Sequence, residues 1–142
     1  MESLAPLFLH HIGFVVADIR SGMDAFVTSL GVTWDGTIFA DPHQKVQVAF
    51  LTTRLGDAQI ELVAPDGPDS PVLRFLNDNG GGMHHVCYEV DDLEKQIAAL
   101  KSRGALIMRR PKPAVAFEGR RIAWVLTREK LLIELLEKER RQ

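Results

Sequence analysis

A single cysteine, Cys87, stands in the 142 residues. The chain can therefore form no intrachain disulfide and no cysteine-rich zinc site, and any metal it binds has to be held by nitrogen and oxygen. Such thiol poverty suits a reducing compartment, and a cytoplasmic location is the expectation. Charge of one sign is equally scarce. Seventeen Lys plus Arg against 19 Asp plus Glu leave a formal charge of −2, which gives no electrostatic ground for nucleic-acid binding. Long apolar runs are missing too. The N-terminal MESLAPLFLHHIG holds only about half the stretch a membrane helix needs, and no basic region followed by a cleavable apolar core. The expected partner is a small molecule, neither nucleic acid nor membrane. Apolar side chains are plentiful at 46%, enough for one compact domain with a real core over 1–142.

The chain repeats itself. LHHIGFVVADI at 9–19 lies over MHHVCYEVDDL at 83–93 without a gap, at an offset of 74 (83 − 9). In each copy a double histidine opens an alternating apolar run that ends on an aspartate, Asp18 or Asp92, placed to cap a helix. The helices show one buried face each, through Ile19, Met23, Phe26, Val27 and Leu30 in the first and Leu93, Ile97 and Leu100 in the second. Gly31 and Gly104 are placed to stop them as left-handed caps. Runs of β-formers follow at 33–40, 45–52 and 58–64, and again at 105–109, 120–126 and 131–135. QIELV around Glu61 and LIELL around Glu134 match at an offset of 73 (134 − 61). The fold class predicted is α+β, two tandem βαβββ modules at about 7–65 and 83–138. The connector, 66–82, has Ser70 and Pro71 placed to start a short helix, and NGGG at 79–82 as a flexible joint.

Strand alternation sorts the polar residues. His11 shares a face with Gly13 and Val15, while His10 lies with Ile12, Phe14 and Val16. His85 likewise lies with Cys87 and Glu89, opposite His84, Val86, Tyr88 and Val90. Glu61 and Glu134 are flanked by Ile and Leu, so each carboxylate points to the other side of a core-forming strand. A carboxylate buried there is costly unless it is paired or coordinated. Each half thus offers one histidine and one glutamate, 50 residues apart in the first (61 − 11) and 49 in the second (134 − 85). The duplication favours His11, Glu61, His85 and Glu134 as joint ligands of one divalent ion, with Co, Zn, Ni, Mn or Fe(II) compatible with such donors. His10 and His84 read as structural. Cys87 reads as a small buried residue on the His85 face. Arg109, Arg110, Lys112, Arg120 and Arg121 read as solvated surface rather than as contacts to carrier phosphates, and PKPAVAF at 111–117 reads as an irregular loop.

At these residues the chain resembles the vicinal oxygen chelate superfamily, which contains glyoxalase I, extradiol dioxygenases, bleomycin-resistance proteins and methylmalonyl-CoA epimerases. The likeness is greatest to the epimerases and is carried by LHHIGFVVADI, IELVAP, DSPVLRFL, GGMHHVCYEVDD and LIELLE. It implies a half-open barrel of two βαβββ modules around a metal site, with ligands from the first and last strands of each module, and a homodimer. Some epimerases carry glutamine at the position of Glu61. The chain differs from them in having TREK at 127–130 instead of a glycine-rich stretch with a lysine. It also has Gln47 where some place a glutamate that acts as a second base.

What the resemblance implies is an isomerase that stabilises an enolate formed beside a thioester carbonyl, with Glu134 as base and Glu61 as the second catalytic carboxylate. The alternatives are a lactoylglutathione lyase with related chemistry on another thiol carrier, and a non-catalytic binding protein of the bleomycin-resistance type. A dioxygenase would need two histidines, one carboxylate and open positions, and four ligands leave fewer.

Overall fold

A computed structural model describes residues 7–52 and 58–139, leaving the first six residues of the N-terminal stretch outside. The chain divides into two compact units, one spanning His11–His84, the other combining Met1–His10 with His85–Gln142.

The expected βαβββ order is present twice. The first copy runs β1 (Phe8–Val15), α1 (Ile19–Leu30), β2 (Phe39–Asp41), β3 (Val46–Leu51) and β4 (Gln59–Pro65). The helix α2 (Leu73–Asn79) then leads to the second copy, β5 (Gly82–Val90), α3 (Leu93–Ser102), β6 (Leu106–Pro113), β7 (Arg121–Leu126) and β8 (Leu132–Glu137). Strand order is β2-β3-β4-β1 in the first set and β5-β8-β7-β6 in the second. Read from the first strand of each copy outward, these are the same topology. A parallel pair joins the first and last strands, and antiparallel hairpins complete the sheet.

The helix ends follow from the residues. The Asp18 carboxylate accepts from the Ser21 amide at 3.0 Å, and Asp92 accepts from Lys95 in the same way at 3.0 Å. Each satisfies a donor that the first helical turn leaves over. Gly31 caps α1 in the left-handed conformation at φ 65°, while Gly104, at φ 93°, follows the end of α3. One face of each helix supplies a core. Ile19 and Met23 of α1 pack with Ala49, Leu51, Leu62 and Ala64. Leu93 and Ile97 of α3 pack with Ala123, Val125 and Leu135.

Several expectations are corrected. The run 33–40 yields only a bridge between Thr33 and Thr52 and the short β2. The Asp35 side chain accepts from the Thr37 amide at 2.8 Å and Gly36 turns at φ 86°, which breaks the strand. The connector helix starts at Leu73 with no side-chain cap, and Ser70 contributes its carbonyl to the Leu73 amide at 3.2 Å instead. PKPAVAF is not a loop throughout. β6 continues to Pro113, and a 3-10 turn covers Val115–Phe117. The prolines are tolerated because β6 is the outermost strand of its set, where a missing N–H costs no ladder bond. NGGG forms a shaped corner. Gly80 caps α2 through a 2.7 Å bond to the Leu76 carbonyl. A Cβ on Gly81, at φ 107°, would stand 2.8 Å from the Val15 carbonyl oxygen.

Candidate functional site

In the unit His11–His84, the parallel register sets Gly13 opposite Glu61 and His11 opposite Gln59. His11 and Glu61 therefore share the sheet face opposite α1, since Phe14, Ile60, Leu62 and Ala64 pack on the α1 side. His11 Nε2 lies 3.5 Å from Glu61 Oε1. Phe50 of β3 stands opposite Glu61, which turns its ring to the same face. That ring meets the His11 imidazole edge to face, with centroids 5.7 Å apart.

The unit containing His85–Gln142 repeats the arrangement. Cys87 stands opposite Glu134, and His85 lies two residues before Cys87, as His11 does before Gly13. His85 Nε2 is 3.7 Å from Glu134 Oε1. Trp124 of β7 stands opposite Glu134, and its ring is edge to face with His85 at 4.7 Å.

Each half thus assembles one imidazole, one carboxylate and one aromatic ring, and nearly all of this is out of water. His11 is 0% exposed, Glu61 5%, His85 4% and Glu134 3%. Two charges taken from water at such depth are costly unless something beyond the pair compensates them. All four residues offer a nitrogen or oxygen ligand atom. The gaps of 3.5 and 3.7 Å are close to the roughly 3.0 to 3.5 Å left between two donors that each bond one cation at about 2.1 Å. Donor type, burial and spacing within each pair therefore fit a divalent metal.

The aromatic partners were not singled out in the sequence, though the signal was there. Phe50 and Trp124 stand 74 residues apart (124 − 50), the offset of the histidine strands. His10 and His84, expected to be structural, each meet an aromatic ring, and His10 also lies with His11 and Cys87 in a group whose ligand atoms are within 4.8 Å of one another. His10 and His84 are half-buried and stack edge to face, His10 on Phe117 at 5.3 Å and His84 on Phe75 at 4.9 Å. Cys87 is fully buried on the face of Glu134.

Gln47 does not occupy a second-base position. It stands opposite Ala64, so it faces α1, and the β3 residues on the Glu61 side are Val46, Val48 and Phe50. Arg120 and Arg121 are engaged within their own unit. Arg120 donates to Glu89 Oε2 at 3.1 Å, and Arg121 donates to both oxygens of Glu137, at 3.2 and 2.9 Å, while lying 2.8 Å from Glu94. The hydrogen bonds to Glu137, and then to Glu94, push the Arg121 guanidinium above its usual value. The TREK segment closes the β7–β8 hairpin, with the Thr127 amide donating to the Leu131 carbonyl at 3.0 Å.

Among the described residues, no helix is long and apolar enough to cross a membrane.

Residues 10–124 match the model of the glyoxalase/bleomycin resistance protein/dioxygenase superfamily. The chain is 32% identical over 118 residues to the ethylmalonyl-CoA/methylmalonyl-CoA epimerase of Cereibacter sphaeroides, covering 82% of this chain and 86% of that protein. A mitochondrial methylmalonyl-CoA epimerase of Dictyostelium discoideum is 28% identical over 135 residues, with 92% and 78% covered. The crystal structure of methylmalonyl-CoA epimerase from Mycobacterium tuberculosis superimposes with a TM-score of 0.83 at 26% identity, over 99% of this chain and 94% of that one.

Proposed function

Because the chain belongs to the glyoxalase/bleomycin resistance protein/dioxygenase superfamily, we propose that it is a divalent-metal-dependent isomerase. It would move the proton at the carbon beside a thioester carbonyl, with methylmalonyl-CoA or a close 2-substituted malonyl thioester as substrate. The observation that carries this reading is the pair of buried His–Glu couples in matching registers. Relatives named as epimerases of ethylmalonyl- and methylmalonyl-CoA support the substrate class.

In this reading His11, Glu61, His85 and Glu134 hold one Co, Zn, Ni or Mn ion, and the chain works as a single domain in the cytoplasm, as a homodimer. A bound divalent cation supplies Lewis acidity, which lowers the cost of negative charge on the carbonyl oxygen as the neighbouring proton leaves. The protein does the rest. The two imidazoles anchor the site, each held by a T-shaped contact with Phe50 or Trp124. Glu134 takes the proton from one face of the carbon, and Glu61 returns one to the other face. Burial of both carboxylates keeps bulk water from the carbanionic carbon.

The test is solvent exchange. Metal-replete protein incubated with methylmalonyl-CoA in deuterated water is expected to place deuterium at C2 and to interconvert the epimers. Protein that does neither would overturn the reading. Turnover of the hemithioacetal of methylglyoxal and glutathione would move it to the lactoylglutathione lyase branch.

A further inference from the structure

The outer strand of the second module contains a break in register that changes which way one arginine points. Ile107 stands opposite Val125, and Arg109 stands opposite Trp124. In an unbroken strand residues 107 and 109 would share a face, because the side-chain period is two. Their partners are consecutive residues of β7 and so face opposite ways. Ile107 and Val125 belong to the core beneath α3. Trp124 belongs to the face of His85 and Glu134. The extra residue, Met108, is 58% exposed, as befits the unpaired member of a bulge. Its insertion turns Arg109 from the core side to the Glu134 side. Arg109 is half-buried there, while its neighbour Arg110 is exposed, so the expectation of a purely solvated surface group does not hold for Arg109.

Arg109, Trp124 and Glu134 consequently form one row across β6, β7 and β8. Two strand spacings separate the ends of that row, roughly 10 Å between backbones. An extended arginine side chain covers much of that length. A malonyl thioester carries its free carboxylate on the same carbon whose proton Glu134 is proposed to take. That carboxylate is thus bonded to the reacting centre, within the span of this row, whereas the phosphates of the carrier lie a pantetheine arm away.

We infer that Arg109 is a specificity-determining residue that binds the free carboxylate of the acyl group, an assignment that rests on the function proposed above. The planar fork of a guanidinium matches a carboxylate in two parallel hydrogen bonds. The bulge at Met108 is the device that delivers it, and the same strand without the insertion would bury Arg109 under α3. The assignment predicts a preference for 2-carboxyl acyl thioesters over neutral ones of equal size.

Calorimetric binding to the metal-loaded protein tests it with three probes, methylmalonyl-CoA, isobutyryl-CoA and CoA itself. Isobutyryl-CoA replaces the carboxylate with a methyl group. The wild-type protein is expected to favour methylmalonyl-CoA over isobutyryl-CoA by about 10- to 100-fold, the size of a charge-assisted hydrogen bond. Arg109→Gln should level the two while leaving CoA binding unchanged, Arg109→Lys should restore part of the preference, and Arg110→Gln, an equal loss of charge next door, should keep all of it. An unchanged preference in Arg109→Gln overturns the assignment, as does an equal loss of affinity for CoA, which would make Arg109 a contact of the carrier phosphates. Failure of the parent reading shows elsewhere, as absent deuterium exchange in the wild-type protein, and the binding ratios read Arg109 in either case.

Discussion

The two modules agree at their buried His–Glu pairs and diverge at their outer strands. On the inner strands the correspondence extends to register. His11 precedes the partner of Glu61 by two residues, and His85 precedes the partner of Glu134 by two. An aromatic residue stands opposite each glutamate. On the outer strands it vanishes. β2 is three residues long, whereas β6 runs for eight and shifts register twice. A duplicated unit can keep its polar pair only where burial punishes any change, and the periphery is free to acquire what distinguishes one substrate from another.

The largest test of this comparison asks whether the two carboxylates do the same job from opposite sides. Glu134→Gln and Glu61→Gln should each lower the kcat of epimerisation by about 10²- to 10⁴-fold, the usual worth of a positioned acid or base. Each variant should still exchange deuterium into one epimer, and the epimer should differ between them. Chiral analysis of the exchanged thioester reads this directly. Loss of exchange with both epimers in both variants would reduce the glutamates to ligands alone.

Next in size are the aromatic partners. Trp124→Leu and Phe50→Leu remove the ring that meets each imidazole. A fall in metal affinity of about 10-fold or more is expected, the scale seen for groups that orient ligands. The closer contact of Trp124 makes its loss the greater, and titration of each variant with Co(II) measures the difference. A smaller effect concerns the corner before β5. Gly81→Ala forces a side chain into a positive-φ site whose Cβ would meet the Val15 carbonyl at 2.8 Å. It should lower unfolding free energy by about 1–3 kcal/mol in urea titration.

The smallest effect belongs to the second unit. Its Arg121 links Glu137 and Glu94, and the hydrogen bond from Arg121 is the main reason the Glu94 carboxyl is held below its usual range. A depressed carboxyl contributes stability above its unfolded value, near 4.5, and loses it as the pH falls through the folded value. Denaturation midpoints should therefore drop below that pH, and Arg121→Met should flatten this part of the profile. An identical profile in the variant would remove the link.

The inner strands were legible in the sequence because duplication put the same chemistry at the same spacing twice. His11, Glu61, His85 and Glu134 needed no register to be picked out, only alternation and an offset. Pairing between strands was not legible. Phe50 and Trp124 become neighbours of the histidines only through the β3–β4 and β7–β8 registers. Gln47 failed for the same reason, since a loosely aligned strand gives no face until its partner Ala64 is known. Arg109 was hidden by the bulge at Met108. One inserted residue reverses inside and outside until the next register shift, here before Lys112, and no composition signal marks the insertion.

The proposed isomerase chemistry depends on one proposed cation with His11, Glu61, His85 and Glu134 as its ligands. Calorimetric titration of metal-stripped protein with Co(II), followed by metal analysis, tests it most directly. One ion per chain at high affinity is expected, with loss of that binding in His11→Ala and in His85→Ala alike. Two ions per chain, or a variant of one half that binds as the wild type does, would contradict it.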